Sequence, residues 1–133
     1  MSFSSQAAQN TKFDKTPTDT ISCIAFNNNP NAQLVCCSSW DNTITIWQVL
    51  NAMGNNIPNQ RHLITVKGPS PDAMLCCTFK DNDIIVGTAS GKIGLLAYGK
   101  SDISTVGSHA GIVSGVHWTS QNLLCSGSSY DYK

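Results

Sequence analysis

Three histidines (His62, His109, His117) and six cysteines (Cys23, Cys36, Cys37, Cys76, Cys77, Cys125) are the first side chains of this 133-residue sequence to weigh as bases, nucleophiles or metal ligands. Their placement argues against all three uses. Cys36-Cys37 and Cys76-Cys77 are adjacent pairs inside apolar runs, and neighbours on a strand point to opposite faces, so neither pair bridges or chelates as a unit. No CxxC occurs, and no Cys/His spacing matches a zinc site. The cysteines therefore read as reduced, buried small hydrophobes in a compartment that keeps thiols reduced, cytosolic or nuclear. His117 alternates with Val116 and Trp118 in a strand pattern and reads as a core or face residue rather than a base. Asp81-Asn82-Asp83 opens like a calcium loop but lacks the Gly and the distant Glu that such a loop needs. No GxSxG, Walker loop, HExxH or paired acidic motif is present. The expectation is a non-enzymatic chain with no cofactor, no metal and no small-molecule substrate.

Bulk composition narrows the classes further. Hydrophobic residues make up 41% and charged residues 12%, too apolar for disorder throughout. Eight basic and eight acidic residues give zero formal net charge, which argues against a broad nucleic-acid surface. Arg61, Lys67, Lys92 and Lys100 are dispersed and read as solvated surface charges rather than an RNA path. No basic start with an apolar h-region is visible, and no apolar run reaches the length of a membrane span. A soluble intracellular chain is expected.

The elements that must position these residues are strands. Leu34 to Ser38 is an apolar run, Trp40-Asp41-Asn42 a polar turn, and Thr43 to Trp47 alternates with Ile44 and Ile46 on one face; the β-branched and aromatic content suits a pleated surface. Thr20 to Phe26 is apolar on both faces, the pattern of a strand covered on both sides. Asn27 to Gln33, with three Asn and Pro30, is a turn. Gln48 to Pro58 reads as a long connection and Arg61 to Val66 as a weaker strand. The pattern then recurs: Asp72 to Phe79 parallels Asp19 to Phe26, Ile84 to Ser90 parallels the run from Leu34, Ile93 to Tyr98 follows Gly91, and Ile103 to Val106 is a short fourth strand. A third copy begins at Ser108-His109-Ala110-Gly111, with strands over Ile112 to Trp118 and Leu123 to Ser128. The starts Asp19, Asp72 and His109 are 53 and 37 residues apart; propeller blades repeat at about 40–45, the first step being lengthened by the insertion over 49–60 and the second slightly short.

Ser39-Trp40-Asp41-Asn42-Thr43-Ile44-Thr45-Ile46-Trp47 and Ser108-His109-Ala110-Gly111, continuing to Trp118, carry a resemblance to WD-repeat proteins. With Thr18 to Phe26 and the connector containing Ile57-Pro58, the sequence is similar to the first blades of the nuclear-pore mRNA export factor family over roughly residues 12–133. The WD protein of the spindle checkpoint has a similar opening blade. The resemblance implies an all-β WD-repeat β-propeller fragment, about two and a half four-stranded antiparallel blades of a seven-bladed ring. Residues 1–12 are then a flexible amino-terminal arm, 13–18 a ring-closing strand, 19–71 the first blade, 72–108 a degenerate second blade and 109–133 a truncated third.

In that family a hydrogen-bonded set of His, Ser, Asp and Trp fixes each blade. The matching structural residues here are Asp41 and Trp47 in the first blade and His109, Ser126 (or Ser128) and Asp131 in the third. Cys37 stands where the strand serine is usual. The second blade, with Ser90-Gly91 at its turn and Tyr98 near the Trp position, lacks the set. Trp40 and Asn42 are the candidate interface: Trp40 either lies on the top surface of the ring as an interface anchor or packs against the next blade. The resemblance implies an adaptor in mRNA export that binds a nucleoporin peptide segment, with indirect RNA association, in the nucleus, at the nuclear pore and in the cytoplasm. A spindle-checkpoint or general WD-repeat scaffold, and a truncated gene product with no independent function, are the alternatives.

Overall fold

The computed structural model describes residues 12–50, 59–69, 71–119, 122–129 and 133. Among the described residues there are ten strands: β1 (Ile21–Phe26), β2 (Leu34–Ser39), β3 (Thr43–Leu50), β4 (Asn59–Lys67), β5 (Met74–Lys80), β6 (Asp83–Thr88), β7 (Lys92–Leu96), β8 (Ser104–Ser108), β9 (Val113–Trp118) and β10 (Leu124–Ser128). They form two four-stranded sheets, ordered β1-β2-β3-β4 and β5-β6-β7-β8, and a hairpin of β9 and β10. Every pairing is antiparallel. This is the all-β architecture expected from the repeat, two four-stranded units and half of a third.

Local chemistry explains the turns. The loop Trp40-Asp41-Asn42 closes β2 on β3, with the Asn42 amide donating to the Ser39 carbonyl at 3.2 Å. Asn42 sits at φ 69°, the left-handed conformation that closes a three-residue hairpin. Asp81 and Asn122 take the same conformation in the loops β5–β6 and β9–β10; Asp and Asn tolerate it better than other side chains. Gly91 fills that place between β6 and β7 at φ 96°.

The sheets pack face to face, with β5 lying against both β1 and β9. Between the first two sheets, Cys36, Ile44, Ile46 and Val66 meet Met74, Cys77, Ile84, Val86 and Leu96. Between the second sheet and the hairpin, Cys76, Ile85 and Ile93 meet Val113. Each fully buried aliphatic here is worth about 1.5–3 kcal/mol relative to exposure. The alternation of Cys36 with Cys37, and of Cys76 with Cys77, sends one thiol of each pair to one face and its neighbour to the other.

Several expectations are corrected. β3 and β4 extend to Leu50 and back to Asn59, so the ladder enters the stretch read as a connection and reaches Leu50↔Asn59. β1 is covered on one face only by described residues: Cys23 and Ala25 pack on the core while Ile24 and Phe26 are exposed. Residues 13–18 are a turn and bends rather than a strand. Lys15 at φ 54° turns the chain out of the extended region, and Pro17 has no N–H to give to a ladder. The arm placed over 1–12 falls outside the described residues apart from exposed Lys12.

Candidate functional site

At the loop end of the first sheet, the Asp41 carboxylate is fully engaged. One oxygen accepts from the Thr43 amide (3.1 Å) and the Thr43 hydroxyl; the other accepts from the Thr18 amide (2.9 Å) and hydroxyl (3.2 Å). Burial acts to raise the Asp41 pKa, but the hydrogen bonds from Thr43, Thr18 and Ser39 outweigh it and hold the carboxyl below its ordinary value. A carboxylate whose pKa is depressed by folding adds stability above the unfolded pKa, about 3.9, and loses it as pH falls through the folded value. Asp41→Asn is therefore expected to lower the denaturant midpoint at pH 7, with the gap to the wild type closing as pH drops below about 4; a gap that is constant with pH would contradict this role.

Trp47 is buried and does not meet Asp41. Its indole N–H donates to the Asp14 carbonyl at 2.7 Å, and Phe13 packs edge-on with ring centroids 5.3 Å apart. Cys37, a weak acceptor, shares this cluster with Val35, so the backbone of the incoming segment satisfies the indole instead. In the third unit His109 Nε2 and Ser126 Oγ are 2.9 Å apart, bringing together two of the expected residues. Asp131 lies outside the described residues.

The second sheet has its own substitute, missed from sequence. The Asp72 carboxylate accepts from the Ser90 amide at 3.0 Å and from the Ser90 hydroxyl. In the first sheet the acid is on the turn (Asp41) and the hydroxyl on the entering segment (Thr18); in the second the acid enters (Asp72) and the hydroxyl is on the turn (Ser90). The sequence carries the signal in Asp72, an acid at the start of the repeat. Tyr98 is exposed and does not occupy the Trp position: Leu96 pairs with Ile84 as Trp47 pairs with Val35.

Trp40 is 54% exposed. It borders an open cleft of about 590 Å³ between the first two sheets, together with Asp41, Lys67, Pro69, Pro71 and Asp72. Asn42, the other candidate interface residue, also lines this cleft but is 6% exposed. Its amide nitrogen donates to the Gly68 carbonyl at 3.3 Å and its own carbonyl accepts the Gly68 amide at 2.9 Å. Asn42 thus ties two loops together and has no side chain to offer a partner. A Cβ at Gly68 would meet Asn42 Oδ1 at 2.4 Å, so a side chain there would push the tie apart.

Acid–base and nucleophilic chemistry find little support in these positions. Burial pushes the Cys37 and Cys76 thiols up to about 11. Contact with Cys77, followed by burial, raises Cys23 as well. These thiols are protonated at neutral pH and are poor nucleophiles. Among the described residues no group of three or more His, Cys and Asp side chains could hold a metal ion, and no helix is long and apolar enough to cross a membrane.

Comparison with known proteins agrees with this geometry. Residues 9–48 match the family described as WD domain, G-beta repeat. The chain is 27% identical over 110 residues to the mRNA export factor rae-1 of Caenorhabditis elegans, an alignment covering 82% of this chain and 28% of that protein. It superposes on the C-terminal WD40 domain of Sif2 with a TM-score of 0.65 at 13% identity, over 85% of this chain and 32% of the other. The chain spans less than a third of either of these proteins.

Proposed function

We propose that this chain, a WD-repeat protein whose described residues fold as propeller blades, is a non-catalytic adaptor that docks a peptide segment of a partner in the Trp40 cleft, the partner being a nucleoporin segment and the setting mRNA export at the nuclear pore. Residues 19–71, 72–108 and 109–133 are successive blades on this reading, and Asp41, Trp47, His109, Ser126 and Asp131 hold them rather than bind. The observation that carries it is Trp40: a large aromatic, more than half exposed, set by a fixed turn at the edge of a cleft between two blades. Trp is one of the residue types enriched at the energetic centres of interfaces. Similarity to an mRNA export factor supports the choice of partner.

The test is fluorescence polarisation with labelled nucleoporin segments. Trp40→Ala is expected to weaken binding at least 30-fold, about 2 kcal/mol or more for an anchor residue, with an unchanged unfolding midpoint because the side chain is exposed. Binding to a checkpoint-kinase segment in place of a nucleoporin segment, or undiminished binding by the Trp40→Ala chain, overturns the assignment.

A further inference from the structure

We propose that the Trp40 cleft recognises an arginine side chain on the docked segment, with the indole of Trp40 stacking on the guanidinium and Asp72 receiving one of its N–H groups. This rests on the reading of the cleft as a peptide-docking site and adds the chemistry of the residue it selects.

The argument is one of acceptor capacity. A carboxylate offers about four lone-pair positions, two on each oxygen. Asp41 has all four filled, by the amides and hydroxyls of Thr18 and Thr43. It contributes a fixed negative charge and nothing more. Asp72 has one position filled on each oxygen, both by Ser90. Ser90 therefore pins the carboxylate in one orientation while leaving one acceptor site open on each oxygen. The amide and hydroxyl of one residue grip both oxygens across their paired edge, so the open positions are the two outer ones, and a guanidinium lying on the Trp40 indole reaches one of them with an N–H. A lysine ammonium carries the same charge but has no plane to lay on the indole.

The remaining lining agrees. Trp40 presents the aromatic surface most favourable to a cation, and Pro69 and Pro71 add apolar walls without N–H donors that would compete for the carboxylate. Among the described residues Lys67 is the one cation lining the cleft, against the two carboxylates of Asp41 and Asp72, so the local charge favours a cationic guest and disfavours a phosphate or a carboxylate. Lys67 then acts as a brake on affinity.

The experiment is a ¹H–¹⁵N NMR titration of the full chain with Nα-acetyl-arginine methylamide, against the glutamine, lysine and glutamate analogues. The three indole N–H signals, from Trp40, Trp47 and Trp118, report position. Only Trp40 should shift, because Trp47 is buried and bonded to Asp14 and Trp118 lies under the Lys80 ammonium. The arginine probe is expected to bind about tenfold more tightly than the glutamine probe, a gain in the range of a stacked and ion-paired cation, and to weaken with added salt. Asp72→Asn should erase the preference, Ser90→Ala should keep it because the charge remains, and Lys67→Glu should strengthen binding several-fold. Equal binding of the arginine and glutamine probes, or preference for the glutamate probe, overturns the proposal. A nucleoporin segment that needs Trp40 yet binds unchanged after its arginines become glutamine would sink this inference and leave the docking reading standing; an arginine probe that shifts Trp40 while no segment binds would do the reverse.

Discussion

Gly91→Ala is expected to destabilise the protein by about 3 kcal/mol or more, through two additive causes. Gly91 sits at φ 96°, a conformation that costs a residue with a Cβ roughly 1–2 kcal/mol. In addition, a Cβ there would lie 2.3 Å from the His109 carbonyl oxygen and 2.7 Å from that of Gly111. Both obstacles are backbone, so the loop leading into the third unit would have to move, breaking the 2.7 Å hydrogen bond from the His109 amide to the Gly91 carbonyl. Gly99 is the control: its φ is 81° but nothing lies within 4 Å of its Cβ position. Gly99→Ala should therefore show only the conformational part, about 1 kcal/mol. Denaturant midpoints at unchanged slope would measure both. Equal losses at the two glycines would mean that contact with the third unit contributes nothing.

Ile44→Ala is expected to cost about 2–5 kcal/mol, the range for emptying a fully buried aliphatic site. Ile44 has no exposed surface and belongs to the core shared by the first two blades. The cavity would open between two sheets rather than inside one, so the loss should couple to the facing sheet. A double-mutant cycle with Ile84→Ala, in the same core, is expected to depart from additivity by 0.5 kcal/mol or more, as for residues around one cavity. Strict additivity would mean that the two sheets are held independently. Leu63→Ala, at a half-exposed position on β4, should change little by comparison.

The two substitutions bear on function through one element. The Trp40 cleft lies where the first blade meets the second, so its shape depends on the Ile44 core beneath it, while Trp40 itself adds nothing to that core. Stability and binding are thereby separable: changes at Ile44 or Gly91 should act on folding, and changes at Trp40 or Asp72 on recognition.

Everything with a short period can be read from the order of residues alone. Alternation in Thr43 to Trp47 set the face that carries Ile44 and Ile46; Asp and Asn at the loops set the hairpins; the recurrence at Asp72 and His109 set the number of units. These follow from pleating and from turn chemistry, which act over a few residues. Its place next to a turn acid left Trp40 either on the surface or against the next blade, and the fold exposes it. Which polar groups meet across long separations depends on how the strands and sheets pack. Thr18 reaching Asp41, Asp72 reaching Ser90 and the Asp14 carbonyl reaching Trp47 join residues 18 or more positions apart. Asn42 looked like an exposed turn residue, and its burial depends on Gly68, 26 residues later, closing over it. A buried donor or acceptor must find some partner, but the sequence does not say which: where the family's histidine or serine is missing, the fold recruits whatever hydroxyl, carboxylate or carbonyl the packing of neighbouring strands brings within reach. The turn around Trp40 was therefore legible from the start, whereas the open acceptor sites of Asp72 beside it depended on how two blades meet.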